Sequence, residues 1–271
     1  VEQILKRGYI VASMSDENKT KQDSPLFVSS LEKAVRVLEA FDEGHRRLSL
    51  TDMVRITGLN KSAVQRFLYT WESLGYISKD EKTRQVKLSP KAMRLGYNFL
   101  RGERLVEVAT PFLLEARERT GNSAYLGTLY DTSIIYLIRL PQRLLLFEGT
   151  LPGRSVPAFC GGRAFLSCLE DSEVLDILNK SDRSAITPYT ITDIDENIRE
   201  IEKIREKGFC ISMQEQLVGE IAVSAPVLGR DGKPCASVYI SASLSEWSQE
   251  KAEAEIAPMV LETAGRISAQ L

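Results

Sequence analysis

The sequence predicts an α+β protein: an N-terminal winged helix-turn-helix, a linker helix, and a larger C-terminal module of sheet covered by helices. Three observations carry that reading. Residues 48–75 hold two short helical patterns separated at Gly58. A basic hairpin pattern follows at 76–88, and beyond residue 120 strand-like runs alternate with amphipathic helical ones.

The elements can be justified in order. Residues 13–28 (SMSDENKTKQDSPLFV) are polar and unpatterned, so 1–28 are expected to form a flexible arm, with Met14 a candidate natural start. Lys6-Arg7 interrupts Val1–Ala12, which lacks the apolar core of a signal peptide. Leu31, Ala34, Val35, Leu38 and Phe41 recur at helical spacing, which predicts a first helix over about 30–42, capped by Ser29 or Ser30. Ser49, with Asp52 three residues on, caps a second helix that Gly58 stops. A third begins at Asn60 and buries Val64, Phe67, Leu68, Trp71 and Leu74. Lys61, Ser62, Gln65 and Arg66 fall on its opposite side, where base edges could be reached. Tyr76–Ser78 and Gln85–Leu88 form the wing, whose Lys79, Lys82 and Arg84 suit phosphate contacts. The winged domain is thus placed at 29–89 and the linker helix at 90–106, with a fresh helix starting at Pro111 and ending at Thr120-Gly121.

The remaining domain, 107–271, is expected to hold strands at 123–130, 133–139, 144–150, 208–212, 221–227 and 236–243. Helices are expected at 163–169, 173–179, 194–207 and 249–269.

Composition bounds the function. Residues 29–104 carry 15 Lys/Arg against 9 Asp/Glu, whereas 105–271 carry 16 against 24. A basic N-terminal third attracts phosphate and the acidic remainder does not, although ordinary solvated surfaces would show the same count. No apolar run approaches the roughly 18–20 residues that span a bilayer, so no membrane partner is expected and a cytoplasmic location follows by default. Four cysteines without CxxC spacing and a single histidine, His45, argue against a metal site and for reduced thiols. No cofactor fingerprint is present. The larger domain has no histidine for acid–base work, and no partnered base can be named for its Ser and Cys nucleophiles. An enzyme acting on a small organic acid, with an accessory helical domain, is the weaker alternative. A protein-binding module built on the first three helices is another.

Several motifs resemble one family. Ser-Leu-Glu-Lys-Ala-Val-Arg-Val-Leu-Glu (30–39), Gly58–Leu68 and Leu74-Gly75-Tyr76 look like the DNA-binding domain of the IclR family of bacterial transcription regulators. Gly162-Arg163-Ala164, Ile204–Phe209 and Ala225-Pro226-Val227 look like its effector domain. The resemblance implies double-stranded operator DNA as partner, a GAF-like C-terminal domain for a small organic acid, semialdehyde or aromatic effector, and a homodimer or homotetramer. In its finer details the chain looks like a repressor of lactone breakdown that answers succinate semialdehyde.

The same resemblance places the effector between the sheet and the loop Pro157–Gly162. Phe159, Cys160, Gly161 and Gly162 are then candidate contacts. Backbone N–H groups at this glycine-rich helix start suit a carboxylate; a plain turn needing positive φ is the equal alternative. The loop is about two residues shorter than the family pattern. Ser212 stands where the family often has an acid, with Glu215 further along, and Ala222 replaces a frequent Cys or Ser. Tyr239 and Ser241 occupy the last strand's ligand positions. Tyr125, Tyr136 and Phe147 lie on strands that could line the same cavity, though aromatics on strands are more often core. Cys160 is a packing residue first and a redox or covalent sensor second.

Overall fold

The computed structural model describes residues 23–42, 44–142 and 151–271. The expected arm falls mostly on residues 1–22, and the expected strand at 144–150, with Phe147, falls within 143–150; both lie outside the described residues. The chain divides between Phe99 and Leu100 into two compact units.

The first unit packs three helices against a hairpin. Helix α1 spans Ser29–Glu39. Its cap position is Val28, without a side-chain cap bond, so Ser29 and Ser30 do not cap it as expected. Helix α2, Leu50–Thr57, opens on a complete capping box: Ser49 and Asp52 each bind the other's backbone N–H. Gly58 closes it at φ 68°, a left-handed conformation that glycine adopts without a Cβ clash. Helix α3, Lys61–Ser73, starts at Asn60, whose side chain accepts from Ala63 N–H at 2.9 Å.

Val37, Met53, Val64, Leu68, Ile77 and Val86 form the buried centre. Phe67 and Trp71 only half-enter it, and Leu74, expected inside, is half exposed. Trp71 Nε1–H donates to the Ala34 carbonyl at 2.7 Å, which ties α3 to α1. The wing pairs β1 (Ile77–Lys79) with β2 (Val86–Leu88), and Leu48 adds a bridge to Val86 on the other side.

A short 3₁₀ turn at Pro90–Ala92 leads into α4, Met93–Gly102, which buries none of its side chains. The chain then breaks at Glu103, and α5 runs from Arg104 to Thr120 straight through Pro111. The expected fresh start at Pro111 is therefore wrong, and the break lies eight residues earlier. An interior proline forfeits one hydrogen bond, but Ala109, Phe112, Leu113 and Ala116 are all buried here and hold the helix together across it.

Among the described residues the second unit is built on one antiparallel sheet of six strands in the order β5-β4-β3-β8-β7-β6. These are β3 (Ser123–Tyr130), β4 (Ser133–Leu140), β5 (Ser155–Pro157), β6 (Cys210–Met213), β7 (Glu220–Leu228) and β8 (Pro234–Ser243). The short β5 was not foreseen. Between β5 and β6 come α6 (Ala158–Gly161), α7 (Arg163–Leu166), α8 (Asp171–Lys180) and α9 (Ile194–Lys207). The helix expected at 163–169 is the shorter α7, and an unforeseen helical turn, α6, precedes it across Gly162. The C-terminal helix is α10 (Gln249–Lys251), a π-helical stretch at Ala252–Ile256, and α11 (Ala257–Ser268). Helices α5 and α11 cover one sheet face over a wholly apolar cluster.

Replacing Ser49 with Ala removes one half of the α2 capping box and is expected to cost about 1 kcal/mol. Urea denaturation of the full chain checks this; an unchanged midpoint would contradict it.

Candidate functional site

Two surfaces gather the residues that the sequence singled out. The first is α3 with the wing. Asn60 caps the helix, so Lys61 and Ser62 lie in its first turn, at the positive end of its dipole. Lys61, Ser62, Gln65 and Arg66 are all exposed and line one face. Tyr69 continues that face one turn further at 73 % exposure, a position that sequence reading had not singled out.

On the wing Lys79, Lys82 and Arg84 are exposed. None of the cations Lys61, Arg66, Lys79, Lys82 and Arg84 enters an ion pair among the described residues. Arg47, Lys79 and Lys87 also border a shallow cleft beside the wing, which Asp80 shares. Arg47 and Lys87 could have been found from charge alone, but nothing in the sequence showed that they meet.

The second surface is the other face of the large sheet. Residues directly opposite in antiparallel strands point to the same side. The register sets Arg139, Tyr125, Tyr239, Ser224 and Cys210 in one row across five strands. Ser123, Ser241, Ala222 and Ser212 form a second row, and Tyr136, Gly127, Ser237 and Pro226 a third. Ala124, Leu126, Val223, Ala225, Val238 and Ile240, which alternate with these residues along the same strands, belong to the apolar cluster on the opposite side. One sheet therefore carries a hydrocarbon face and a hydroxyl-rich face.

Three tyrosines dominate the polar face. Tyr125 and Tyr136 have ring centroids 5.5 Å apart, and Tyr136 meets Tyr239 edge-on at 5.4 Å. Gly127 makes room for them: a Cβ there would lie 2.5 Å from Ile134 Cγ2 and 3.3 Å from both Tyr136 and Tyr239. The buried guanidinium of Arg139 lies over Tyr125 and Tyr136, 5.1 and 5.4 Å from their centroids. Tyr239 Oη and Ser237 Oγ are buried and near each other, and neither makes a well-formed hydrogen bond to another group among the described residues. Burial pushes the Tyr136 and Tyr239 hydroxyls well above their ordinary pKa, so both are neutral donors. Glu220 lies on the same face; burial raises its carboxyl, while a bond to Ser241 and the charges of Arg154 and Arg139 pull it back. Ile134, Val156 and Phe165 complete the surround.

Phe159 and Cys160 belong to a separate cluster, whereas Gly161 and Gly162 press on Val156 and Ile134 of this surround. Phe159 and Cys160 pack with Leu166, Val174, Leu178 and Ile201, toward α8 and α9. Cys160 is buried, with Sγ 3.5 Å from the Pro157 carbonyl. Gly161 and Gly162 have no positive φ, and the Gly162 N–H donates to Ala158 O at 2.8 Å. Their role is close approach. A Cβ on Gly161 would sit 2.5 Å from Val156 Cγ2, and one on Gly162 2.9 Å from both Ala158 O and Ile134 Cγ1.

Ser212 joins the row but its hydroxyl donates to Glu215 Oε1 at 3.1 Å. Glu215 in turn receives Arg163 through both terminal nitrogens, at 2.7 and 2.6 Å, with both side chains buried. Arg163 Nε–H donates to Asn197 at 2.8 Å, and the Ile191 N–H reaches Glu215 at 3.2 Å. Burial pushes the Cys210 thiol up to about 11, against the opposing charge of Arg163, so the thiol is the form expected there. Sequence reading missed Arg139, Ser237, Glu220 and Phe165. For the first three, the signal was a polar residue alternating with apolar ones inside a strand.

A basic, exposed helix-turn-helix joined to a domain with one apolar and one polar sheet face defines a DNA-binding regulator with a ligand-binding domain. Residues 30–81 match the IclR helix-turn-helix domain and residues 98–269 the bacterial transcriptional regulator IclR C-terminal domain. The chain belongs to the IclR family of transcription regulators, which are not enzymes. It is 28 % identical over 266 residues to the Pca regulon regulatory protein of Pseudomonas putida, covering 97 % of this chain and 90 % of that protein. A solved IclR transcriptional regulator from Alicyclobacillus acidocaldarius is 28 % identical, with TM-score 0.77, over 90 % of this chain and 98 % of that one. The Agobacterium tumefaciens repressor BlcR shares the fold, at 21 % identity and TM-score 0.57 over 90 % and 97 % of the two chains. Among the described residues no helix is long and apolar enough to cross a membrane.

Truncating Glu215 to Ala would strand the Arg163 charge in the interior and should cost about 3–5 kcal/mol. The double replacement Arg163→Met with Glu215→Leu should recover most of that in urea denaturation. A double variant no more stable than the single one would refute a purely electrostatic penalty.

Proposed function

We propose that this regulator represses a catabolic operon and leaves its operator when a small organic acid or semialdehyde binds the polar sheet face. The observation that carries this is the contrast between the two faces of one sheet. Burying hydroxyls where hydrocarbon would pack costs stability, and a small polar ligand would supply hydrogen-bond partners for them. Tyr239 Oη and Ser237 Oγ offer two such hydroxyls. The positive charge of Arg139 beside two tyrosine rings favours an anionic or carbonyl end. Ser241, beside Tyr239 and hydrogen-bonded to Glu220, would meet the ligand's other end. Phe159, Cys160, Gly161 and Gly162 then act as the packed wall behind the site. The likeness to BlcR supports the fold alone, so the choice between succinate semialdehyde and another small acid rests on these side chains.

On the DNA side Lys61, Ser62, Gln65 and Arg66 would read base edges, while Lys79, Lys82 and the cleft cations Arg47 and Lys87 hold phosphates. Met93 with Tyr97, and Leu95 with Phe99, each pair one helical turn apart and more than half exposed on α4, supply two apolar patches for a second subunit. A dimer would present two copies of α3 to successive half-sites of an operator, and effector binding would change the fraction of dimers whose spacing fits.

The test is binding of the full chain to duplex DNA from upstream of its own gene and neighbouring operons, titrated with small carboxylates and semialdehydes. A specific complex dissociated by one of these compounds is the expected result. A specific complex that none of them changes would remove the effector class, and turnover of a candidate acid would favour an enzyme instead.

Two variants sharpen it. Arg66→Ala should weaken operator binding by about 1–3 kcal/mol if it contacts a base, and unchanged affinity in a fluorescence titration would reject that role. Tyr239→Phe removes a buried hydroxyl whose one polar neighbour among the described residues is the Ser237 hydroxyl, so thermal stability without effector should change little. Its response to the releasing compound should fall by about tenfold or more. A variant that responds as the parent does would exclude Tyr239 from the site.

A further inference from the structure

Arg84 is the one residue of the wing held in a conformation that its side chain resists. Its φ is 60°, in the left-handed region, where glycine or asparagine sits with less strain. The turn around it is firmly built. Asp80 N–H donates to Gln85 O at 2.8 Å and Arg84 N–H to Asp80 O at 2.8 Å. The Asp80 carboxylate accepts from Lys82 and Thr83 N–H at 2.9 and 2.8 Å, and these backbone bonds, that to Thr83 foremost, hold its pKa below the ordinary value. Arg47 lies 3.9 Å from the same carboxylate. The tip is therefore a fixed mount, and the side chain it displays is exposed, with no hydrogen bond or ion pair among the described residues. Nothing among the described residues accounts for an arginine at this strained position.

Only three residues, Leu74–Tyr76, separate α3 from the first strand of the wing. With α3 in the major groove, a hairpin so closely attached reaches the flanking backbone and the minor groove beyond it. A flexible cation would serve for a phosphate, and Lys79 and Lys82 already supply two on unstrained backbone. A guanidinium is more weakly hydrated than an ammonium and is favoured where the minor groove narrows over A·T-rich sequence and its negative potential deepens.

We propose that Arg84 enters the minor groove beside each half-site and makes the protein prefer A·T-rich flanks. This rests on the DNA-binding function proposed above, with α3 as the element in the major groove. The preference comes from groove width and from the absence of the guanine N2 amino group, not from a major-groove contact.

The test compares the full chain with Arg84→Lys and Arg84→Gly on operator duplexes whose flanks are A·T, G·C or inosine·cytosine. Inosine lacks the N2 amino group, so its pair presents an A·T-like minor groove with a G·C-like major groove. The parent protein should bind G·C flanks about tenfold more weakly than A·T flanks, with inosine·cytosine restoring most of the loss. Arg84→Gly, which relieves the turn, should melt no lower than the parent and bind all three duplexes alike. Arg84→Lys should keep the salt dependence and lose most of the preference. Equal parent binding to all flanks, inosine behaving like guanine, or a preference that survives Arg84→Gly would each overturn the proposal. Failure of the parent to bind any operator duplex specifically would overturn the DNA-binding reading with it, whereas the other outcomes leave that reading intact.

Discussion

The C-terminal unit depends on one buried ion pair. Arg163 and Glu215 hold each other through two short bonds, and neither side chain reaches water. Two charges cannot stay in the interior unless every donor and acceptor is used. Asn197 takes the third arginine nitrogen, while Ser212 and Ile191 N–H supply further bonds to the carboxylate. Thr187 and Thr190 bind the neighbouring carbonyls of Gln214 and Glu215. The result ties α7, α9, the loop before α9 and the turn after β6 into one block. That block holds the two glycines against the sheet and sets the wall behind the tyrosines.

A wall fixed in this way gives the polar sheet face its meaning. Hydroxyls at the surface would be satisfied by water and would say nothing about function. Here Tyr239 is shut in by Tyr136, Phe165 and Val156, and beyond each other its hydroxyl and that of buried Ser237 have no well-formed hydrogen bond among the described residues. Natural interiors leave few polar atoms in that condition. The opposite face of the same strands shows what the chain does when only packing matters: it uses Ala, Val, Leu and Ile. Ligand chemistry and sheet register are thus linked, since a one-residue slip would exchange the two faces.

Much of this was legible in the sequence, and the reasons differ by element. The helix-turn-helix was readable because its signals are local: Ser49 with Asp52, Gly58, and Asn60 each act within one helical turn. Strands β3, β4, β7 and β8 were readable from alternation and turn residues. The break at Glu103 was not, because Pro111 is the stronger local signal and only tertiary burial overrules it. The glycines of the Pro157–Gly162 loop were read as sources of positive φ or free N–H groups, whereas they are small because Val156 and Ile134 press on them. Arg139 and Ser237 escaped notice because their partners stand on other strands, and register cannot be seen in one segment. Ser212 was read as a candidate contact, and only the fold shows that its hydroxyl donates to Glu215.

The central claim is that a small ligand is read on the polar face of the sheet. Amide hydrogen exchange on the full chain, with and without the compound that releases it from DNA, tests this most directly. The account predicts added protection concentrated in 123–139, 158–166 and 236–243, around the tyrosines and the wall behind them. Protection confined to other parts of the chain, with these segments unchanged, would contradict it.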